Sequence, residues 1–476
     1  MSMSNALKFY IDGAWVAPAT DATLEVINPA TEAPYAAIAL GTEADVNRAV
    51  AAARAAFPDW AARPVAERIA AAKRLLAVYM ARYEEMAQAI SAEMGAPITW
   101  AREAQAYAGQ GHLEATIAAA ERFEWETMRG PTRILREPVG VCALITPWNW
   151  PMNQIMCKVA PALIAGCTVV LKPSEIAPMS GVLFAEMIDA AGLPPGVFNM
   201  VNGTGPDVGQ VMSGHPDVDM VSFTGSTRAG VIVARTAAET VKRVAQELGG
   251  KSPNIVLPDA DFAKAVREGT IGVMNNTGQS CDAPTRMLVP AARMAEAMAI
   301  AAEAAAGVVV GDPAEEATTM GPLVSALQFE KVQRLIAAGL AEGATLACGG
   351  LGKPEGRATG YFVKPTVFGN VTNDMTIARE EIFGPVLSII GYQTVEEAIA
   401  IANDTPYGLA AYLQGEDLAQ IRAVARRLRA GSVYVNGPDW DLFAPFGGYK
   451  QSGNGREYAD WAIHDFTEIK GVVGWG

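Results

Sequence analysis

Five short runs decide the fold: Val141-Cys-Ala-Leu-Ile-Thr146, Thr168-Val-Val-Leu-Lys172, Val197-Phe-Asn-Met-Val201, Met220-Val-Ser-Phe-Thr224 and Lys242-Arg-Val-Ala-Gln-Glu247. Each is rich in β-formers, and helix-like stretches separate them at a spacing of roughly 20 to 30 residues. Such alternation of strand and helix predicts an α/β protein with a parallel, doubly wound sheet. Ligands of these sheets bind beyond the carboxyl ends of the strands. The segments that follow the runs are therefore the first candidates for function: Pro147-Trp-Asn-Trp-Pro151, Lys172-Pro-Ser-Glu175, Thr224-Gly-Ser-Thr227 and Glu247-Leu-Gly-Gly250.

Toward the N-terminus, Lys8 to Val16 reads as a hairpin, because Asp12-Gly13 between β-formers is a strong type I′ turn signal. Thr42 to Arg122 is Ala-rich with apolar residues at helical spacing, including Ile69, Leu76, Met80 and Tyr83. Pro64, Gly95 and Pro97 divide it into separate helices. Toward the C-terminus a second α/β pattern runs from about 250 to 435, with strands expected near Asn254–Leu257, Arg286–Val289 and Ser432–Val435. Gly356 to Gly360 reads as a surface loop, and Asp465-Phe-Thr-Glu-Ile-Lys-Gly-Val-Val473 as a terminal strand. There is no internal repeat.

Composition narrows the function. The 476 residues are enough for two or three domains, and half of them are hydrophobic. A net charge of −14 makes nucleic acid a poor partner, since phosphate neutralisation requires clustered Lys and Arg. The longest apolar run, Val159 to Leu171 between two lysines, is shorter than the roughly 20 residues a bilayer demands. No basic region followed by an apolar run opens the sequence, so no signal peptide is expected. Cys142, Cys157, Cys167, Cys281 and Cys348 are odd in number and include no CxxC pair, which predicts a reducing, cytoplasmic setting. His112, His215 and His464 are scattered, and no metal site is expected.

The chemistry gathers at a few unusual positions. Phe223-Thr-Gly-Ser-Thr-Arg-Ala-Gly230 follows a strand and opens a helix, and Gly225 would let the backbone approach a pyrophosphate beside Ser226. The alternative is an ordinary helix start with a Ser cap. Lys172 and Glu175 can hold the two hydroxyls of a ribose or form a solvated pair. Bound to a ribose, Glu175 disfavours NADP, because a carboxylate about 4 Å from a phosphate charge is repelled by roughly 4 kcal/mol at an effective dielectric near 20. Cys281 lies in the polar loop Asn275-Asn-Thr-Gly-Gln-Ser-Cys-Asp282, where an accessible thiolate is expected, while the other cysteines sit among apolar or small residues. With no histidine in a setting for a Cys–His pair, Glu247 is the candidate base. Asn149, walled by Trp148 and Trp150, is a candidate oxyanion donor.

Taken in order, Thr146-Pro-Trp-Asn149, Lys172-Pro-Ser-Glu175, Phe223-Thr-Gly-Ser226, Glu247-Leu-Gly-Gly-Lys251, Gly278-Gln-Ser-Cys281, Glu380-Glu-Ile-Phe-Gly-Pro385 and Pro445-Phe-Gly-Gly-Tyr-Lys-Gln-Ser-Gly453 resemble the NAD(P)-dependent aldehyde dehydrogenase superfamily. The resemblance implies NAD-dependent oxidation of an aldehyde. Cys281 would form a thiohemiacetal held by the Asn149 side chain and its own N–H, and Glu247 would activate water to hydrolyse the resulting thioester. Glu457 and Lys158 match positions near a proton path, and Lys172 is counted with the catalytic set as well as with the cofactor. Thr146, Trp148, Lys172, Glu175, Gly205, Gly225, Ser226, Glu381 and Phe383 would contact NAD.

The same resemblance points to Trp150, Asn153, Gln154, Cys157, Asp282 and Trp440 as the substrate tunnel, Cys157 standing where many members carry a bulky aromatic. The stretch Thr277 to Arg286 looks like that of branches acting on oxo-acids or semialdehydes. Paired tryptophans could instead hold a cationic aldehyde or form a plain apolar wall. The implied architecture has an NAD-binding domain of Rossmann type (1–120 and 139–249), an α/β catalytic domain (250–450) and a small β arm for oligomerisation (121–138 and 465–476), with a homodimer or homotetramer expected. Two alternatives stay open: a CoA-acylating dehydrogenase, which Glu247 disfavours, and a non-catalytic protein of this fold.

Overall fold

The computed structural model describes residues 5–475. Its first sheet has eight strands in the spatial order Gly453–Asn454, Arg243–Glu247, Met220–Thr224, Val141–Ile145, Thr168–Lys172, Phe198–Met200, Phe9–Ile11, Ala14–Val16. The five central strands are the five runs of the sequence, and all pair in parallel. Val141–Ile145, Thr168–Lys172 and Met220–Thr224 are buried along their whole length, as strands covered on both faces must be. The register sets Thr224 beside Glu247 and Ile145 beside Lys172, so the strands' polar ends form one rim.

The N-terminal hairpin closes one edge of this sheet antiparallel, with Asp12 and Gly13 both at positive φ as a type I′ turn requires. Helices Glu43–Ala61, Val65–Ala81, Tyr83–Met94 and Tyr107–Ala120 occupy the Ala-rich region, Pro64 preceding the second and Gly95 capping the third. The buried face of Val65–Ala81 differs from the expected one by one residue. Leu75 and Tyr79 point inward while Met80 is exposed, because the Tyr79 hydroxyl reaches the Ala106 carbonyl at 2.7 Å inside the core.

A second sheet has the order Thr345–Cys348, Thr366–Gly369, Val386–Tyr392, Arg286–Pro290, Pro253–Val256, Ala410–Gln414, Ser432–Val435, and is parallel except at its first strand. Three of these strands match the sequence reading, and the other four were not anticipated. A separate hairpin of Thr23–Asn28 and Ala33–Ala39 was likewise unforeseen. The segment 356–360 is a turn-rich loop. Glu126–Arg129, Thr132–Pro138 and the terminal strand Thr467–Val473 form a three-stranded antiparallel arm. Among the described residues no helix is long and apolar enough to cross a membrane.

The chain leaves the first sheet at Glu247 and enters the second at Pro253. It returns to the first when Gly453–Asn454 pairs beside Arg243–Glu247. Thr224 at the rim of the first sheet and Cys281 line one cavity, so the rim faces the loop that carries the cysteine.

Candidate active site

The Cys281 loop begins where helix Phe262–Met274 ends. Asn276 (φ 54°) and Thr277 (φ 57°) are left-handed, a costly pair for residues with a Cβ. Side chains hold it in place. Gln105 Nε2 donates to Asn276 Oδ1 at 2.9 Å, Asn276 Nδ2 donates to the Asn149 carbonyl at 3.0 Å, and Thr277 Oγ1 donates to the Gly321 carbonyl at 3.2 Å. Gly278 follows, also left-handed, and a Cβ there would stand 2.1 Å from the Gly384 carbonyl oxygen. Gly250 plays the matching part on the facing segment: a Cβ on it would meet the Cys281 carbonyl oxygen at 2.2 Å. Both glycines allow the backbone contact that seats the cysteine.

Cys281 stands between two cavities and lines both of them. One, of about 290 Å³, is walled by Trp150, Gln154, Asp282, Tyr412, Tyr434 and Trp440. The other, of about 210 Å³, is bounded by Trp148, Asn149, Gly225, Ser226, Glu381 and Phe383. Cys281 is half-buried. Desolvation, followed by the negative charges of Asp282, Glu247 and Glu381, pushes its pKa well above the ordinary cysteine range. A base is therefore required to generate the thiolate.

Asn149 is buried and rigid. Its Nδ2 donates to the Gln279 carbonyl at 3.0 Å, and its own carbonyl accepts from Gln105 and Asn276, each at 3.0 Å. Glu247 closes its strand, is buried, and has no hydrogen-bond partner on either carboxylate oxygen. Burial, reinforced by Glu457, raises its pKa well above the usual carboxylate range. An unpaired buried carboxyl is poised to exchange a proton, which a structural carboxylate tied to donors is not. Behind it, Lys158 is ion-paired with Glu457, whose second oxygen accepts from the Cys157 thiol at 3.1 Å.

The expected cofactor residues divide into two groups. Trp148 packs edge-on against Phe383 with ring centroids 5.4 Å apart, and Glu381 accepts from the Gly250 N–H at 2.9 Å. Gly225 lies beside them, and Ser226 caps helix Thr227–Ala237 by accepting from the Ala229 N–H at 3.3 Å. Further along the rim, Lys172 Nζ meets Glu175 at 2.9 Å, apart from the cavities that join at the sulfur. Lys172, expected in both the catalytic and the cofactor set, lines neither cavity. Gly205 opens the segment Gly205–Gly209, exposed and with open space around it.

On the other side, Trp150 donates to Ser280 Oγ at 2.8 Å and stands edge-on between Trp100 and Trp440, each 5.9 Å away. Asn153 Oδ1 lies 2.6 Å from His112 Nε2, and Trp440 is exposed at the mouth. Cys157 does not line the cavity; its thiol is turned to Glu457. Sequence reasoning missed Trp100, Tyr412, Tyr434 and Tyr458 on this wall, and Gln328 and Lys331 on the other. They come from distant segments with no local motif. Among the described residues, no group of three His, Cys, Asp or Glu is arranged to hold a metal ion.

Comparison with known proteins gives the same answer along the whole chain. The aldehyde dehydrogenase family profile matches residues 15–472. A 3-succinoylsemialdehyde-pyridine dehydrogenase of Pseudomonas sp. is 53% identical over 474 residues, which is 99% of each chain. A mutant of aldehyde dehydrogenase C from Pseudomonas syringae, crystallised with NAD+ and octanal, superposes with a TM-score of 0.98 at 55% identity, over 99% of this chain and 97% of that one. A Mycobacterium tuberculosis aldehyde dehydrogenase in complex with NAD+ has a TM-score of 0.96 at 41% identity, with 98% of both chains covered. A match that runs from the first hairpin into the last strand leaves no sheet of the molecule outside it, and the chain belongs to the aldehyde dehydrogenase family.

Proposed function

We propose that the protein oxidises an aldehyde to its carboxylic acid with NAD, Cys281 acting as nucleophile and Glu247 as the base for hydrolysis. One observation carries the reading: a half-buried cysteine is the junction of two cavities, one able to admit a substrate and the other open toward the rim of a dinucleotide-type sheet.

The rim fits NAD. The hydroxyls of Thr146 and Thr224 are buried at the ends of neighbouring strands without a partner, as expected of groups that await a ligand. Lys172 and Glu175 would hold the adenosine ribose, Gly225 and Ser226 with the following helix N-terminus the pyrophosphate, and Glu381 the second ribose, with Phe383 and Trp148 beside the nicotinamide. Bound there, NAD supplies the hydride acceptor. Thr146 and Gly205 belong to the same surface. Relatives crystallised with NAD+ support the choice of cofactor.

The chain's own residues do the rest. A base removes the Cys281 proton as sulfur attacks the carbonyl carbon, and the oxygen that becomes anionic is met by Asn149 Nδ2 and the Cys281 N–H. After oxidation Cys281 holds an acyl group as a thioester. Glu247 takes a proton from water as the water attacks that carbonyl carbon, and the acid departs while the sulfur regains its proton. Lys158 and Glu457 lead that proton away from Glu247. The unpaired Glu247 carboxyl favours water over CoA as the acyl acceptor.

The three-stranded arm, with Ile469 and Val473 exposed on its last strand, supports a homodimer or homotetramer. The domain limits expected from the sequence are adopted, with the first sheet as the NAD-binding unit and the second as the catalytic one. Five free cysteines support a reducing, cytoplasmic setting. The test is aldehyde-dependent NADH formation by the protein and by Cys281→Ser. Formation that persists undiminished in the variant overturns the proposal.

A further inference from the structure

We infer that the substrate carries no negative charge on its chain, which is apolar or aromatic, and that Asp282 and Asp439 turn carboxylate-bearing aldehydes away. The inference rests on the reading that Cys281 attacks the carbonyl from within the 290 Å³ cavity.

That cavity has no Lys, Arg or His among its lining residues. Its two charged groups are both acidic. Asp282 directly follows the nucleophile, with Oδ2 3.5 Å from the Tyr412 hydroxyl, and Asp439 is exposed at the mouth beside Trp440. A carboxylate entering this space would pass one like charge and end near another, with no cation to offset its desolvation. Sites that bind a carboxylate place an Arg or Lys against it. Much of the remaining wall is aromatic, Trp150, Trp440 and Tyr434 among it, and its other polar side chains, Asn153, Gln154, Asn275 and Ser280, carry no charge; such a surface buries alkyl chains and flat rings.

An independent observation removes one candidate cation, Arg286. Arg286 closes the stretch Thr277 to Arg286, whose likeness to enzymes of oxo-acids and semialdehydes suggested an acidic substrate. Its guanidinium is buried elsewhere. It donates to the Lys251 carbonyl at 3.0 Å, to Asn373 Oδ1 at 2.9 Å, and to the carbonyls of Ile401 and Ala402 at 3.0 and 2.9 Å. Those bonds occupy the fork and tie the second sheet together. No part of it reaches the cavity.

The test compares kcat/KM for adipic semialdehyde and its methyl ester, two substrates of equal chain length that differ by one charge, with NAD in excess. The ester is expected to be favoured on the order of a hundredfold, as two nearby like charges imply. Asp439→Asn, at an exposed loop position, and Asp282→Asn are each expected to lower that ratio about fivefold or more. The ratio is internally controlled, so a general loss of activity in a variant leaves it unchanged. Equal efficiency with the acid and the ester overturns the inference, as does a ratio that neither variant moves. Failure to oxidise the ester or any neutral aldehyde would instead overturn the proposed function.

Discussion

Replacing Asn149 by Ala tests the oxyanion site in a way the geometry makes quantitative. An amide NH2 has two hydrogens to donate. One is spent on the Gln279 carbonyl at 3.0 Å, which holds the amide beside the Cys281 loop. The other is left for the oxygen of a carbonyl attacked by sulfur. Loss of one such preorganised donor typically costs about 2.7–4 kcal/mol of transition-state stabilisation, or 10²- to 10³-fold in rate. The fold should tolerate the change. The Gln279 carbonyl keeps a donor in Asn276 Nδ2 at 3.2 Å, and the Asn149 carbonyl, which takes both crossing bonds, survives in alanine. The stability loss should stay near the ~1 kcal/mol of one net hydrogen bond. The assay is single-turnover NADH formation at saturating aldehyde and NAD, with thermal unfolding as the control. A variant that forms NADH within about fivefold of the parent rate would show that Asn149 does not stabilise the oxyanion.

Three further outcomes follow from the same structure. In cofactor-free protein, alkylation of Cys281 by iodoacetamide should be slow at neutral pH and still rising above the ordinary cysteine pKa of about 8.5. The raised pKa leaves little thiolate until the pH is high, and a plateau near pH 7 would contradict it. Glu93 is buried, accepts from the N–H groups of Met179 and Ser180, and has a pKa raised by desolvation to about 7. A raised carboxyl pKa means that its contribution to stability is fully present below 4.5 and lost as pH rises through about 7, a change of roughly 3 kcal/mol. Glu93→Gln should flatten the stability profile across that window, and denaturant titrations with unchanged slope would refute the assignment. Glu175→Gln should narrow the preference for NAD over NADP at least about tenfold, because it removes the charge that repels a 2′-phosphate; an unchanged ratio of kcat/KM would place the discrimination elsewhere.

The parts of the molecule that could be read from sequence share a physical trait. Three parallel strands of the first sheet are buried along their whole length, and two of them, Val141–Ile145 and Thr168–Lys172, carry a β-branched and apolar run that ends at a polar residue. The missed strands lack that signature. Ala410–Gln414 begins with two alanines, Thr366–Gly369 ends in a glycine, and Val386–Tyr392 is broken by Gly391. Helix Val65–Ala81 offers two apolar pairs at the same spacing, Leu75 with Tyr79 and Leu76 with Met80, and tertiary contacts select the first: Ile69, Ala72 and Leu75 pack in the core and the Tyr79 hydroxyl meets the Ala106 carbonyl. In the site, Cys281, Glu247 and Asn149 stood out because each is chemically odd where it lies. The aromatic wall did not, since Trp100, Tyr412 and Tyr458 meet only through tertiary structure. Cys157, which the resemblance puts on that wall, turns its thiol to Glu457, a contact 300 residues away in sequence.

The most direct test of the account traps the acyl group on the sulfur. Glu247→Gln, mixed with an aldehyde and NAD and quenched in acid, should release about one NADH per active site and stall. Peptide mass spectrometry should then find the acyl mass on Cys281 and on no other cysteine. Continued turnover with no adduct, or an adduct on a different residue, would contradict the division of labour between Cys281 and Glu247.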